Sequence, residues 1–189
     1  MILNTLGNRF FGFNRSKIQV FLWVTFLFCL ISTLPQDLLM YDRVQILNGE
    51  VYRLVSAHFV HAGPTHMLLN VLALISVILL WPGHYSLREN LFIVFFLISF
   101  IDVGLFFLFS EVHWYYGSSG LLYALAGFAI LEFEKRSKRY WIFLGLAAFA
   151  LFSVKSEDHL EGLNILGQAH FLGVLGALVL NLLIKRRLL

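Results

Sequence analysis

The sequence predicts an all-α membrane protein: one domain over residues 1–189, built as a bundle of six transmembrane helices with both termini cytoplasmic. Three observations predict it. First, the apolar fraction is 59% and the charged fraction only 13%, against roughly 45–50% and about 25% in soluble domains. A soluble chain with 20 phenylalanines could not hide that surface from water, whereas lipid tails are as apolar as leucine. Second, the apolar residues gather into six runs near the length a helix needs to cross a bilayer, roughly 17–25 residues. Third, the Lys and Arg residues sit in short clusters between these runs. That is the positive-inside pattern of a polytopic membrane protein, so the net charge of +3 does not point to nucleic acid.

The first run spans about Ile18 to Leu34. It is longer than the roughly 7–15-residue core of a signal peptide and ends in Ser32-Thr33-Leu34-Pro35 without a small-x-small cleavage site, so it reads as a retained helix. The second runs from about His66 to Trp81, the third from Leu91 to Phe109, the fourth from Ser119 to Phe133, the fifth from Tyr140 to Val154 and the sixth from Gly167 to Ile184. Arg9, Arg15, Lys17, Arg88, Lys135, Arg136, Lys138, Arg139, Lys185, Arg186 and Arg187 fall on one side; of the 14 Lys and Arg residues, only Arg43, Arg53 and Lys155 fall on the other. The skew puts both termini in the cytoplasm and agrees with an even number of spans. The long loop from Pro35 to Thr65 mixes aromatic and acidic residues, as expected of a segment folded partly into the membrane interface. Cys29 lies in an apolar run and reads as a small core or lipid-facing residue.

The fourth run is short, about 21 Å as a helix, against a hydrocarbon core of about 30 Å. With Glu132 and Glu134 at the cytoplasmic end, its other end stops below the outer surface, and Ser119 lies within the membrane zone. Backbone at that depth must be buried in protein or line a water-filled cavity.

Polar residues inside spans are costly and by default mark function. Three groups stand toward the outer side. His66 and Asn70 are four apart and share a helix face; both can donate hydrogen bonds. His58 and His61 precede that helix, in the loop, and Pro64 suits its first turn. Gly117-Ser118-Ser119-Gly120 places Ser119 at a helix N-terminus, where free N–H groups and the helix dipole favour a developing oxyanion. His170 lies near the outer end of the sixth run. Gly173 and Gly176 follow it, and small residues at such spacing let two helices pack closely. Serine needs a base to become a nucleophile, and a neutral imidazole is the usual partner; adjacency of Ser119 and His170 would make a minimal pair. Asp102 is the one acidic residue within the third run and lies toward mid-membrane, poorly placed as a third member. Tyr123, four residues after Ser119, shares its face and is placed to stack on or orient His170.

These residues resemble the rhomboid intramembrane proteases, six-helix proteins whose bacterial members usually keep both termini in the cytoplasm. Gly117-Ser118-Ser119-Gly120, followed by Leu121-Leu122-Tyr123-Ala124-Leu125, is similar to the start of the family's fourth helix. His66 and Asn70 match its His-x-x-x-Asn, His61 its earlier histidine five residues before, and Ala169-His170-Phe171-Leu172-Gly173 its Ala-His-x-x-Gly. Tyr52-Arg53 stands where the family commonly has Trp-Arg, and Gly176 follows Gly173 by three residues rather than four. The resemblance covers Tyr52 to the C-terminus and a first helix. It implies Ser119 as nucleophile and His170 as base, with His66, Asn70 and the Ser119 backbone N–H as oxyanion stabilisers. It implies His61 as a support for the first loop, with Gly117 and Gly120 framing the nucleophile. Gly-x-Ser-Gly alone is a weak signal; the three motifs at matching span starts are a strong one.

The implied activity is a serine endopeptidase that cleaves membrane-anchored proteins in or near a transmembrane segment. It would sit in a bacterial inner membrane, its site opening to the periplasmic side, without metal or cofactor. The compact chain and Trp114-Tyr-Tyr-Gly-Ser-Ser-Gly also look like the rhombosortase branch, associated with tail-anchored substrates bearing a C-terminal Gly-Gly-type tail. Expected partners are such substrates and the lipid bilayer, not nucleic acid. The alternative is a catalytically silent rhomboid-like membrane chaperone or binding module, although silent relatives commonly lack the Ser or the His. A third reading makes His58, His61 and His66 a metal site, imidazole being a common ligand, but no carboxylate or Cys completes the set nearby. Taken alone, His66 and Asn70 could equally be a satisfied polar pair inside a bundle.

Overall fold

The computed structural model describes residues 34–61, 63–81, 85–132 and 167–187. The predicted first run up to Thr33, with Cys29, and the predicted fifth run lie outside the described residues. Four longer helices form the body: α4 (Pro64–Leu80), α5 (Leu87–Leu108), α6 (Ser119–Leu131) and α7 (Gly167–Arg187). Ahead of them the first loop folds into α1 (Gln36–Leu39), β1 (Tyr41–Asp42), α2 (Arg43–Leu47), α3 (Arg53–Ser56) and a 3-10 turn (Ala57–Phe59); β2 (Trp114–Tyr115) precedes α6. Each of the four predicted runs within the described residues is a helix. By length and composition α5 and α7 are each able to cross a membrane, and the pair Arg53–Phe59 and Pro64–Ile78, bent by 90°, makes a third candidate. The chain is an all-α membrane protein in which the only strands among the described residues are β1 and β2.

Local chemistry explains the helix ends. Pro64 opens α4, where its missing N–H costs no bond. Ser86 and Glu89 form a reciprocal capping box that starts α5 one turn before the first wholly apolar stretch. This is why α5 begins at Leu87 and not at Leu91. The Asp42 carboxylate accepts from the Val44 and Gln45 N–H groups at 2.9 and 3.1 Å and caps α2.

Helix α6 is central. It is apolar on every side, and Leu121, Leu122, Ala124, Leu125, Phe128, Ala129 and Ile130 are all buried. Its closest partner is α7, with α4 and α5 on other sides. The α6–α7 contact is built on glycine: a Cβ on Gly173 would collide with the backbone carbonyl of Gly120. Large apolar side chains on the outer faces of α4, α5 and α7, such as Leu69, Phe95 and Leu182, are exposed, as suits surfaces that meet lipid. At the end of α6 away from Ser119, Glu132 accepts from Tyr85 at 2.8 Å and Asn181 at 2.7 Å, tying α6 to α7 and to the residues before α5.

The first loop is anchored by Arg53, which is buried. Its guanidinium donates to the carbonyls of Asp37 and Met40 at 2.8 and 3.0 Å and to the Glu50 carboxylate at 2.6 Å. The Arg53 hydrogen bond, then that from Tyr52, holds the Glu50 carboxyl below its ordinary pKa. Meanwhile Leu38, Val44, Leu47, Val51 and Val55 of the same loop are exposed. A compact unit with an apolar outer surface is what an interfacial loop requires.

Candidate active site

Gly117 to Gly120 are held in place by the first loop. Strand β2 pairs antiparallel with β1, Tyr115 opposite Tyr41 and Trp114 opposite Asp42. The Gly117 N–H donates to the Ala57 carbonyl at 2.9 Å. Gly117 has φ +111°, and a Cβ there would lie 2.8 Å from Cε1 of His66. Only glycine both adopts that backbone and leaves room for the imidazole.

The chain then enters α6 at Ser119. Ser118 stands at the cap position without a side-chain cap bond, so the first N–H groups of the helix remain without intrahelical acceptors. Ser118 is buried, and its hydroxyl lies 3.4 Å from Nε2 of His61. Ser119 is half-buried.

His170 is buried on α7, and its Nε2 lies 2.8 Å from Ser119 Oγ. This distance is a hydrogen bond between residues 51 positions apart, made possible by the glycine contact between α6 and α7. Nε2 can accept the hydroxyl proton only in the tautomer that carries its proton on Nδ1. That Nδ1 is buried and has no hydrogen-bond partner among the described residues, so no carboxylate among them orients the ring there. Tyr123 stacks on the ring, with centroids 4.4 Å apart and planes 24° off parallel. Gly120 packs against Ala169 at the same crossing.

His66 lies against Gly117 and meets the His61 ring edge-on at 5.1 Å. Asn70 is buried, and its amide donates to the His66 carbonyl one turn back at 2.9 Å. One proton of that amide is engaged in its own helix and the second is left to offer. The structure therefore brings Ser119, His170, Tyr123 and Gly120 into one cluster and His61, His66 and Gly117 into another that shares the Gly117–Ser119 backbone. Among the described residues no group of three or more His, Cys, Asp and Glu side chains is arranged to hold a metal.

Two residues differ from their sequence reading. His58 lies in the first loop but is fully buried in its 3-10 turn, with Nε2 3.1 Å from the Asp102 carboxylate. Asp102 is not a lone mid-span acid but half of this buried pair. The available signal was the cost of an unpaired carboxylate in a span, which requires a named partner.

The Rhomboid domain model matches residues 48–187. The chain belongs to the rhomboid family, whose members are generally intramembrane serine proteases acting on transmembrane substrates within the bilayer. No curated protein and no solved structure matches the chain.

Proposed function

We propose that the protein is an intramembrane serine endopeptidase that uses Ser119 and His170 as a catalytic dyad. The observation that carries the reading is the 2.8 Å contact between Ser119 Oγ and His170 Nε2, at the head of a helix too short, at about 20 Å, to reach across the bilayer. His170 takes the hydroxyl proton as Oγ attacks the scissile carbonyl carbon. The carbonyl oxygen becomes an oxyanion facing the free N–H groups at the start of α6, with His66 and the second Asn70 proton as further donors. His170 then delivers its proton to the leaving amine, and water hydrolyses the acyl-enzyme by the same two steps in turn. One oxyanion donor of this kind is worth roughly 2.7–4 kcal/mol. The silent-scaffold alternative has no comparable support, because this chain keeps both Ser and His within hydrogen-bonding distance.

The reading extends to residues 1–189 as one six-helix domain in a bacterial inner membrane, both termini cytoplasmic and the site open to the periplasm. The Lys/Arg distribution supports that orientation. Within the family, the Trp114–Gly120 run supports a rhombosortase-like specificity for tail-anchored proteins with a Gly-Gly-type tail. The test is co-expression with two membrane-anchored reporters, one carrying a Gly-Gly tail and one not. Shortening of the Gly-Gly reporter by the native chain, lost with Ser119→Ala, is the expected result. Cleavage of both reporters alike removes the tail specificity, and cleavage that survives Ser119→Ala removes the mechanism.

A further inference from the structure

Hydrolysis by Ser119 and His170 makes no use of the buried Asp102–His58 pair, yet polar contacts lead from that pair to the nucleophile. Asp102 on α5 is 4% exposed and His58 is fully buried, and their Oδ1 and Nε2 atoms lie 3.1 Å apart. The opposite ring nitrogen of His58, Nδ1, lies 3.4 Å from the Tyr115 hydroxyl, and the two rings meet edge-on at 5.4 Å. Tyr115, also buried, donates that hydroxyl to the Gly117 carbonyl at 2.6 Å. The same hydroxyl oxygen lies against Gly120, 3.1 Å from where a Cβ at that position would stand. One phenol thus touches both glycines that frame Ser118 and Ser119.

The geometry points to a positioning role. A phenol has a single proton, and the short contact assigns it to the Gly117 carbonyl. With the proton committed there, the 3.4 Å approach of His58 Nδ1 and the edge-on ring contact hold the phenol in place without taking its proton. Gly117 sits at φ +111°, where glycine has no side chain to restrict rotation of its peptide. The Tyr115 bond supplies that restriction, because a peptide unit is planar and fixing its carbonyl fixes the whole plane. Apolar side chains of similar volume would often fill a buried site at least as stably as an ion pair. A carboxylate in a span, an imidazole in the first loop and a phenol beside the nucleophile give something packing alone does not, a directional hold on one carbonyl.

We propose that Asp102, His58 and Tyr115 are positioning residues that fix the Gly117 peptide, and through it the approach of Ser119 to His170. The proposal rests on the reading of Ser119 as nucleophile. The first loop then acts on the reaction at a distance: Asp102 orients His58, His58 orients the Tyr115 hydroxyl, and the hydroxyl sets the turn.

The test is the rate at which a fluorescent fluorophosphonate labels Ser119 in purified protein, resolved into kinact and KI, for native protein, Tyr115→Phe and Asp102→Asn. Tyr85→Phe serves as the structural control, because it removes a similar phenol bond to Glu132 (2.8 Å) at the other end of α6. Misplacement by about 1 Å can lower a rate by about 100-fold. The expected result is a fall in kinact of about 10–100-fold for Tyr115→Phe and Asp102→Asn at near-native KI, while Tyr85→Phe labels at the native rate with a similar loss of melting temperature. Tyr115→Phe keeps the ring and its packing, so it carries the test if Asp102→Asn does not fold. A native kinact in Tyr115→Phe, or an equal loss in Tyr85→Phe, overturns the proposal while leaving the nucleophile intact. Native protein that takes no label at all overturns the nucleophile, and the positioning role falls with it.

Discussion

Replacing Gly173 with alanine probes how Ser119 and His170 are brought together. A Cβ at this position would lie against the Gly120 carbonyl oxygen, closer than the 3.0 Å that real Cβ atoms keep, and 3.3 Å from the Ala124 backbone N. Both obstacles are backbone, so no rotamer change relieves them, and α7 must retreat from α6. Normal carbon–oxygen contact requires a retreat of about 1 Å. Added to the 2.8 Å between Ser119 Oγ and His170 Nε2, this takes the pair to about 3.8 Å, beyond hydrogen-bonding reach. The expected loss in reaction rate is about 100-fold, equivalent to about 2.7 kcal/mol of barrier, with an overpacking cost to stability of about 1–3 kcal/mol. Gly176→Ala is the matched comparison, because the nearest atoms to its Cβ belong to the Phe100 side chain, from 2.9 Å, and a side chain can turn aside. Fluorophosphonate labelling rates and melting temperatures of both variants make the measurement. Native-rate labelling of Gly173→Ala, or equal losses in both variants, would refute the reasoning that glycine contact sets the dyad distance.

Other residues carry smaller or differently signed expectations. Gly117→Ala places a Cβ against His66 at an unfavourable φ and should lower stability by about 1–3 kcal/mol, read as a fall in melting temperature. Tyr123→Ala removes the stack on His170 and should slow labelling by about 2–10-fold, with Tyr123→Phe recovering most of it. Arg53→Ala leaves the Asp37 and Met40 carbonyls without their donor and should destabilise by about 2–4 kcal/mol, with Arg53→Lys rescuing only in part because the fork is lost. Glu50 is held below its ordinary pKa of 4.5, so its contribution to stability is present above that value and fades as pH falls through the lower folded-state one. Thermal melts of native protein and Glu50→Gln should converge at the acid end of that window.

Much of the bundle and the meeting of Ser119 with His170 was legible in the sequence, for identifiable reasons. Apolar runs mark helices in a membrane protein because backbone polar groups must be satisfied within each segment, and the four runs within the described residues are helices. Ser119 and His170 stood out because polar groups are rare in spans, and Gly173 marked the close crossing that joins them. The start of α5 was placed a turn late, because Arg88, Glu89 and Asn90 break the apolar pattern while Ser86 and Glu89 cap the helix. The Asp102–His58–Tyr115 chain was missed for a different reason. Its residues are 44 and 57 positions apart, on a span, a turn and a strand, and no periodicity links them. The two-residue pairing of β1 with β2 and the fold of the first loop bring them together, and neither short strand has a recognisable pattern.

The central claim is that Ser119 is a nucleophile activated by His170 inside the membrane zone. The most direct measurement is fluorophosphonate labelling of the native chain beside Ser119→Ala and His170→Ala, each shown to be folded by its melting transition. Labelling of the native protein that disappears in both variants is the predicted result; labelling that persists in either variant, or is absent from folded native protein, would contradict it.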